Sequence, residues 1–533
     1  MKLISENPQS TVVSKFEHKP SKRQAYQSEA QLEDALIAQL QAQGYEYLDI
    51  HTEEELIVNL RTQIERLNNI TFTDNEWRGF FRTHIANPSA GFEGKTELLQ
   101  DSRTAQVAFP FDDHVYRNIT LLNKRNIHEN HLQVIHQYTP TGGKRANRYD
   151  VTILVNGLPM VHIELKKRGV AIREAFNQIY RYKNESFSAD NGLFDYVQLF
   201  VISNGTHTKY YSNTTRRQAI TENNRNKQLK HLSPALRSND SFEFTSYWAD
   251  RENNIISDIE DFAATFFAKH TLLNILTKYC VYTVQKKLLV MRPYQISATE
   301  AILQKIYVST NQRQVGTIHA GGFIWHTTGS GKTLTSFKTA QLCTRLDYVD
   351  KVLFVVDRKD LDYQTILEYE KFQKGCVSKN KTTKELKEQL ENDQASIVIT
   401  TIQKLNTFCK KEKAHTIYNK HIVIIFDECH RSQFGEMHKM IVRRFCKYHI
   451  FGFTGTPIFP ENATNELQTT VQVFGGEPDE QGRPIKPLHT YTVVNAIADE
   501  NVLPFRMEYI RTMKTADNIA DEQVQGINHE GGL

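Results

Sequence analysis

The chain has 533 residues, 39% of them hydrophobic and 24% charged, with 65 Lys and Arg against 61 Asp and Glu for a formal net charge of +4. That length supports three or four domains of about 150 residues, each large enough to bury its own core. The composition excludes collagenous, low-complexity and solenoid chains, and a charge so near balance leaves any nucleic-acid partner to be decided by local patches.

The opening, MKLISENPQSTVVSKF, has no apolar core of signal-peptide length, and no later stretch approaches the roughly 18 to 20 apolar residues needed to cross a bilayer. A soluble, cytoplasmic protein with no membrane contact is expected. Cysteines 280, 343, 376, 409, 429 and 446 form no C-x-x-C pair, which reads as reduced intracellular thiols.

In chain order, SEAQLEDALIAQL (28–40) offers a capping box, Ser28 with Gln31, followed by Leu32, Leu36 and Leu40 at helical spacing. From about 106 to 205 the strands VTILV, MVHIEL and YVQLFVIS and the helix REAFNQIYRYK predict an α/β unit. Residues 206–255 are polar and turn-rich, and within 214–237 six Lys and Arg face one Glu, so a surface excursion is expected there. Helical periodicity resumes in DFAATFFAKHTLLNILTKY (261–279). Beyond it GGFIW, KVLFVVD, ASIVITT, HIVIIFDE and HIFGFTGT are apolar throughout and separated by helices, which predicts a parallel sheet covered on both faces.

The hairpin RYDVTILVNGLPMVHIELKKRG (148–169) gathers charge where a buried pair of strands should have none. Glu164 and Lys166 are two apart and leave the same face of their strand. Asp150 must join that face for the group to act. Two converging carboxylates repel unless a divalent cation sits between them, and an adjacent lysine can position a water or steady charge on a phosphate. Asp, then Glu-x-Lys across a hairpin, suits metal-dependent phosphodiester hydrolysis. A regular two-residue turn at Asn156-Gly157 sets 150 against 163 and puts Asp150 on the wrong side. One bulge, or a three-residue loop, restores the pairing with 164, and Pro159 makes such an irregularity plausible.

GGFIWHTTGSGKTLTSF places Thr328-Gly329-Ser330-Gly331-Lys332-Thr333 between a strand and a helix, the setting of a phosphate-binding loop. The glycines let successive N–H groups face phosphate oxygens at a helix N-terminus, Lys332 reaches the β- and γ-phosphates, and Thr333 ligates Mg²⁺. The position six before the lysine, glycine in the strict pattern, is His326. In HIVIIFDECHRS, Asp427 is expected to hold the Mg²⁺, Glu428 to polarise the attacking water, and His430 to link the site to a moving part.

These segments carry a resemblance. RPYQ (292–295), TGSGKT, VVDRKDLDYQ (355–364), TTIQKL (400–405), DECH and FTGTP (453–457) stand in the order of superfamily 2 helicases and translocases. The resemblance implies that Gln295 and Arg292 read the adenine, that Thr454 and Thr456 couple hydrolysis to movement, and that the segments around Arg358 and Gln403 touch the DNA backbone. The hairpin with QIYRY, giving Gln178 and Tyr182, resembles the PD-(D/E)xK nuclease fold in its RecB-like form. That implies catalytic roles for both residues and a place near the metal for Glu29 or Glu33.

Together, from about residue 25 onward, the sequence resembles the R (restriction and motor) subunit of type I restriction-modification enzymes. The implied fold is α/β: a nuclease domain over 1–255, a first RecA-like motor lobe over 256–465 and the start of a second lobe over 466–533. With Leu533 as its last residue the chain reads as truncated. The implied function is ATP- and Mg²⁺-dependent translocation and remote cleavage of double-stranded DNA, in partnership with modification methyltransferase and specificity subunits. The alternative is a free-standing superfamily 2 motor whose N-terminal domain binds DNA without cutting it.

Overall fold

The computed structural model describes residues 10–16, 27–87, 89–100, 105–139, 148–181, 192–228, 240–356, 359–376, 382–429, 434–463, 469–478 and 484–502. Helix α1 (Glu29–Ala42) starts where its capping box puts it: Ser28 accepts from the Gln31 N–H and the Gln31 side chain accepts from the Ser28 N–H. Its buried stripe of Leu32, Leu36 and Leu40 packs on a six-stranded sheet. The strands are β1 (Glu46–Tyr47), β2 (Leu132–Tyr138), β3 (Tyr149–Val155), β4 (Leu158–Leu165), β5 (Leu199–Ser203) and β6 (Thr208–Ser212), which lie side by side in that order. β4 and β5 run parallel, joined through helix α2 (Ile172–Arg181), and the β2–β3, β3–β4 and β5–β6 pairs are antiparallel.

The β3–β4 hairpin answers the register question with one bulge after a regular turn. Its turn has two residues, Asn156 and Gly157, each in the left-handed region at φ 52° and 81°, the backbone that matches strand twist. Val155 therefore faces Leu158 and Leu154 faces Pro159, but Ile153 faces Val161, so Met160 is an extra residue. Past that bulge Val151 pairs with Ile163, and one step further sets Asp150 against Glu164. The turn itself is regular; the expected irregularity lies just after Pro159. The Asn156 amide pins it by donating to Leu121 O and Asn130 Oδ1 and accepting from the His131 N–H.

A second sheet holds β7 (Gly322–His326), β8 (Lys351–Val356), β9 (Ile397–Thr401), β10 (His421–Phe426), β11 (Lys447–Thr454) and β12 (His489–Tyr491). All six are parallel in the order β9-β8-β10-β11-β7-β12, and the five apolar strands fall where the sequence puts them. Helix α3 (Pro293–Asn311) precedes β7 and helix α4 (Lys332–Cys343) follows it.

Three expectations need correction. Over its described residues the stretch 206–255 is not a surface excursion: it contains β6 and a helix over Asn213–Gln228. Its polar residues are bonded inward, Asn213 Nδ2 to Thr96 Oγ1 and Val197 O, with Thr214 Oγ1 accepting from the Leu288 N–H. The packing does not divide at 255/256 either. Helices Ile259–Thr265 and Lys269–Thr277 share the core of the first sheet, and the end of α1 is stapled to them by Gln39 Nε2 to Glu260 O, Gln43 Nε2 to Ala263 O and Tyr45 Oη to Phe267 O. Finally, His489–Tyr491, expected in a second lobe, is the edge strand of the first lobe's sheet, because β12 pairs with β7.

Gly157 is tested by addition of a side chain. A Cβ there stands 2.7 Å from the Leu60 backbone at a φ that L-residues avoid. Gly157→Val is expected to cost at least about 2 kcal/mol from strain and overpacking, read as a lower urea midpoint. An unchanged midpoint would mean that the turn is not seated on Leu60.

Candidate active sites

The first site lies at the end of the β3–β4 ladder. Glu164 is fully buried, and Asp150 and Lys166 are nearly so. Asp150 Oδ2 accepts from the Leu165 N–H at 2.8 Å, which fixes its direction. Lys166 Nζ donates to Glu164 Oε1 at 3.2 Å and to Leu165 O at 2.8 Å, with Glu29 Oε2 at 3.7 Å. Burial pushes the Asp150 carboxyl up to about 8, with repulsion from Glu164 adding to it. Burial likewise pushes Glu164 up to about 7, against the pull of Lys166.

Glu164 Oε2 is buried without a hydrogen-bond partner, and two carboxylates of raised pKa meet at one point. A divalent cation fits that donor set, since it replaces the missing partner and stabilises both charges. No group of three or more His, Cys, Asp or Glu positioned for a metal occurs among the described residues. Glu33 is buried near Asp150 and accepts from Gln137 Nε2 at 3.1 Å. Gln178 sits on α2, half-buried, while Tyr182 lies outside the described residues. Sequence reasoning passed over His162, a fully buried imidazole whose Nε2 is 3.7 Å from Glu164 Oε2. The signal was there: it stands two residues before Glu164 and so shares its face.

The second site lies on the C-terminal edge of the parallel sheet. Gly329 and Gly331 have φ 82° and 77°, and a Cβ on Gly329 would meet nothing within 4 Å, so the loop opens outward there. A Cβ on Gly331 would strike Gln295 Nε2 at 2.6 Å. Gln295 Nε2 donates to Ser330 O at 3.0 Å while its Oε1 accepts from the Arg292 N–H, so its amide braces the loop. Tyr294 donates to the same carbonyl and stacks on Tyr491 at 3.6 Å. Burial raises the Tyr294 hydroxyl, with the nearby Arg292 charge opposing it.

Lys332 opens α4, its Nζ 3.6 Å from Glu428 Oε1 and 3.5 Å from His326 O, and Thr333 follows on the first turn. Asp427 Oδ1 accepts from the Glu428 N–H, and Glu428 holds the left-handed φ of 45°, the kind of strain that collects at functional sites. Burial, with Glu428 beside it, pushes Asp427 up to about 6. Thr454 is buried at the end of β11, its hydroxyl accepting from the Thr456 N–H. Gln403 is exposed on the first turn after β9, at the same sheet edge. Arg358 and His430 lie outside the described residues.

A cleft of about 1200 Å³ between the two domains is lined by Lys124, His319, Glu300, Lys305 and Leu488, among others, at the opposite edge of the parallel sheet. Its charges are engaged internally: Lys124 Nζ donates to Gln100 O, Lys305 Nζ to Gly476 O, and Glu300 accepts from the Thr11 N–H and the Tyr279 hydroxyl. None of the residues of either site lines it.

The chain thus joins an α/β domain whose hairpin buries an acid pair to a parallel sheet that carries a glycine-rich strand-to-helix loop at its edge. Residues 26–219 match the family described as type I restriction enzyme R protein N terminus, and residues 294–531 match the SWI2/SNF2 ATPase family. The chain is 38% identical over 513 residues to the type I restriction enzyme SsaAORF53P endonuclease subunit of Staphylococcus saprophyticus, covering 94% of this chain and 50% of that one. It is 47% identical over 315 residues to the EcoprrI endonuclease subunit of Escherichia coli, covering 59% of this chain and 93% of that one. A solved nuclease-deletion mutant of the Type ISP restriction-modification enzyme LlaGI aligns over 39% of this chain and 20% of its own, at 18% identity and a TM-score of 0.29. The chain belongs to the family of type I restriction enzyme endonuclease subunits. It spans about half the length of the staphylococcal relatives it matches. Among the described residues no helix is long and apolar enough to cross a membrane.

The acid pair gives a pH test. Both folded-state pKa values lie above the roughly 4 of an unfolded carboxylate, so the folded chain keeps protons that the unfolded chain has lost. The stability contributed by these groups is full below about pH 4 and lost as pH rises through about 7 to 8. Denaturant midpoints in chelator should fall across that window, with Asp150→Asn flattening the fall and Mg²⁺ opposing it. A slope untouched by Asp150→Asn would show that the pair does not hold shared protons.

Proposed function

We propose that this chain carries the nuclease and ATP-binding parts of a type I restriction R subunit. In this reading it hydrolyses ATP to move double-stranded DNA and cuts that DNA away from the recognition site. The observation that carries the reading is the presence, on two separate sheets of one chain, of two charge groups that each need a ligand: Asp150, Glu164 and Lys166 on one, Lys332, Asp427 and Glu428 on the other. A domain that merely bound DNA would have no use for two buried carboxylates on one face, and this favours cutting over the free-standing motor.

At the hairpin, Asp150 and Glu164 would hold a divalent cation such as Mg²⁺, which when bound supplies charge neutralisation and an activated water. Lys166, held between Glu164 Oε1 and Leu165 O, then has its ammonium at the edge of the acid pair, where charge grows on the scissile phosphate. Gln178 and Tyr182 would orient the strand being cut. At the motor site Lys332 would leave Glu428 for the β- and γ-phosphates, Thr333 and Asp427 would hold the Mg²⁺ of the nucleotide, and Glu428 would polarise the attacking water. Gln295 and Arg292 would meet the adenine, in which case the Gln295 bond to Ser330 O ties base recognition to loop shape. Methyltransferase and specificity subunits would supply site recognition.

In a full-length subunit assembled with those partners, Asp150→Ala or Lys166→Ala is expected to abolish cutting and leave DNA-dependent ATP hydrolysis within about twofold, because neither site lends a ligand to the other. Glu428→Gln is expected to lower hydrolysis by roughly 10² to 10⁴ while ATP still binds. Equal loss of both activities in Asp150→Ala would sink the two-site account, and a Glu428→Gln enzyme that turns over normally would remove Glu428 from its role.

A further inference from the structure

β3 and β4 present one buried column of polar side chains: Thr152 opposite His162, then Asp150 opposite Glu164, then Lys166. His162 is fully buried, its ring edge-on to Tyr149 at 5.3 Å and to Phe200 at 6.1 Å, with the Arg216 guanidinium over the Phe200 ring. It has polar neighbours on its two sides. Nδ1 is 3.3 Å from Thr152 Oγ1, and Nε2 is 3.7 Å from Glu164 Oε2, the carboxylate oxygen that has no hydrogen-bond partner. The other oxygen of Glu164 is taken by Lys166. With a cation on the pair Glu164 is a carboxylate whose oxygens only accept, so useful contact there requires the proton on Nε2, and a neutral ring then leaves Nδ1 to accept from the Thr152 hydroxyl.

We propose that His162 is a positioning residue for the metal carboxylate: through Nε2–H, with its tautomer set by Thr152, it orients Glu164 and sets the affinity of the acid pair for a divalent cation. The separation of 3.7 Å is longer than a hydrogen bond. A small rotation of the Glu164 carboxyl closes it, and ionisation of Glu164 favours that closure. Such supporting partners, which touch the ligand and not the metal, are worth about 10- to 100-fold in metal affinity in other sites. The inference rests on the reading of Asp150 and Glu164 as a cation-binding pair.

The test is calorimetric titration of the 533-residue chain with Mn²⁺, together with its thermal midpoint in chelator. Asp150→Asn, the control for the pair itself, should lose Mn²⁺ binding; if it binds as before, the pair is not a cation site. Given that loss, His162→Leu, which keeps bulk and removes the donor, should weaken Mn²⁺ binding about tenfold. His162→Gln, which restores an N–H donor, should recover most of it. Should His162→Leu fail to fold, Thr152→Val decides instead: removing the hydroxyl that sets the tautomer should weaken Mn²⁺ binding by a few-fold. The proposal is overturned if His162→Leu binds Mn²⁺ like the parent, if His162→Gln is as weak as His162→Leu, or if Thr152→Val changes the chelator midpoint and leaves Mn²⁺ affinity untouched. Those outcomes would make the imidazole a packing residue.

Discussion

Two carboxylates sharing a buried point cannot both ionise without a cation, and in this chain one extra residue, Met160, forces them to share it. Without that bulge the turn at Asn156-Gly157 would pair Asp150 with Ile163, and the acid pair would be split across the two faces of the sheet. The arrangement of the nuclease half follows from keeping that register. The Asn156 amide ties the turn to three neighbouring groups, Gly157 sits against Leu60, and β4 is buried along its whole length between β3 and β5. A hairpin so covered has no freedom to slip by one residue, and the lack of freedom is what holds uncompensated charge in place.

The motor half solves a different problem with a different sheet. In a parallel sheet every strand ends at the same edge, so groups far apart in sequence gather there without long loops. Thr328 to Thr333 follow β7, Asp427 and Glu428 follow β10, Thr454 ends β11, and Gln403 follows β9. At the other edge the inter-domain cleft opens, where Lys305 donates to Gly476 O and Glu300 accepts from the Tyr279 hydroxyl. The two halves thus use opposite devices: an antiparallel hairpin that concentrates charge by register, and a parallel sheet that concentrates it by topology.

How much of this was legible in the sequence depended on whether a signal was local. The capping box at Ser28, the five apolar strands and the glycine conformations of the phosphate loop depend on neighbouring residues and stood out. So did the need for an irregularity between residues 150 and 164, because period-two alternation is arithmetic. What could not be read was set by distant partners. The helix over 213–228 looked like a polar loop, since its inward bonds go to Thr96, Val197 and Leu288. The core around the first sheet runs on through Leu276 and Tyr279 to Met291 and Ile296, and Gln39, Gln43 and Tyr45 reach across to Glu260, Ala263 and Phe267 within it. His162 was passed over because an imidazole in an apolar run reads as packing until its carboxylate neighbour is placed.

The departure at His326, where a phosphate loop ordinarily has glycine, has its cause in the same kind of distant contact. His489 Nε2 lies 3.0 Å from Arg251 O, a carbonyl that can only accept, so the proton is on Nε2 and His489 Nδ1 must accept. His326 Nε2, 2.9 Å from that Nδ1, must therefore donate. Both rings are neutral, as their burial demands, for each has a pKa driven down by desolvation. The carbonyl of the same His326 faces Lys332 Nζ, and Asn253 Nδ2, two residues from Arg251, donates to Thr490 O beside His489. A glycine at 326 would leave the start of the loop held by backbone pairing alone. The histidine adds a side-chain bond that runs through the edge strand to Arg251 and so fastens the start of the loop to the residues before the parallel sheet.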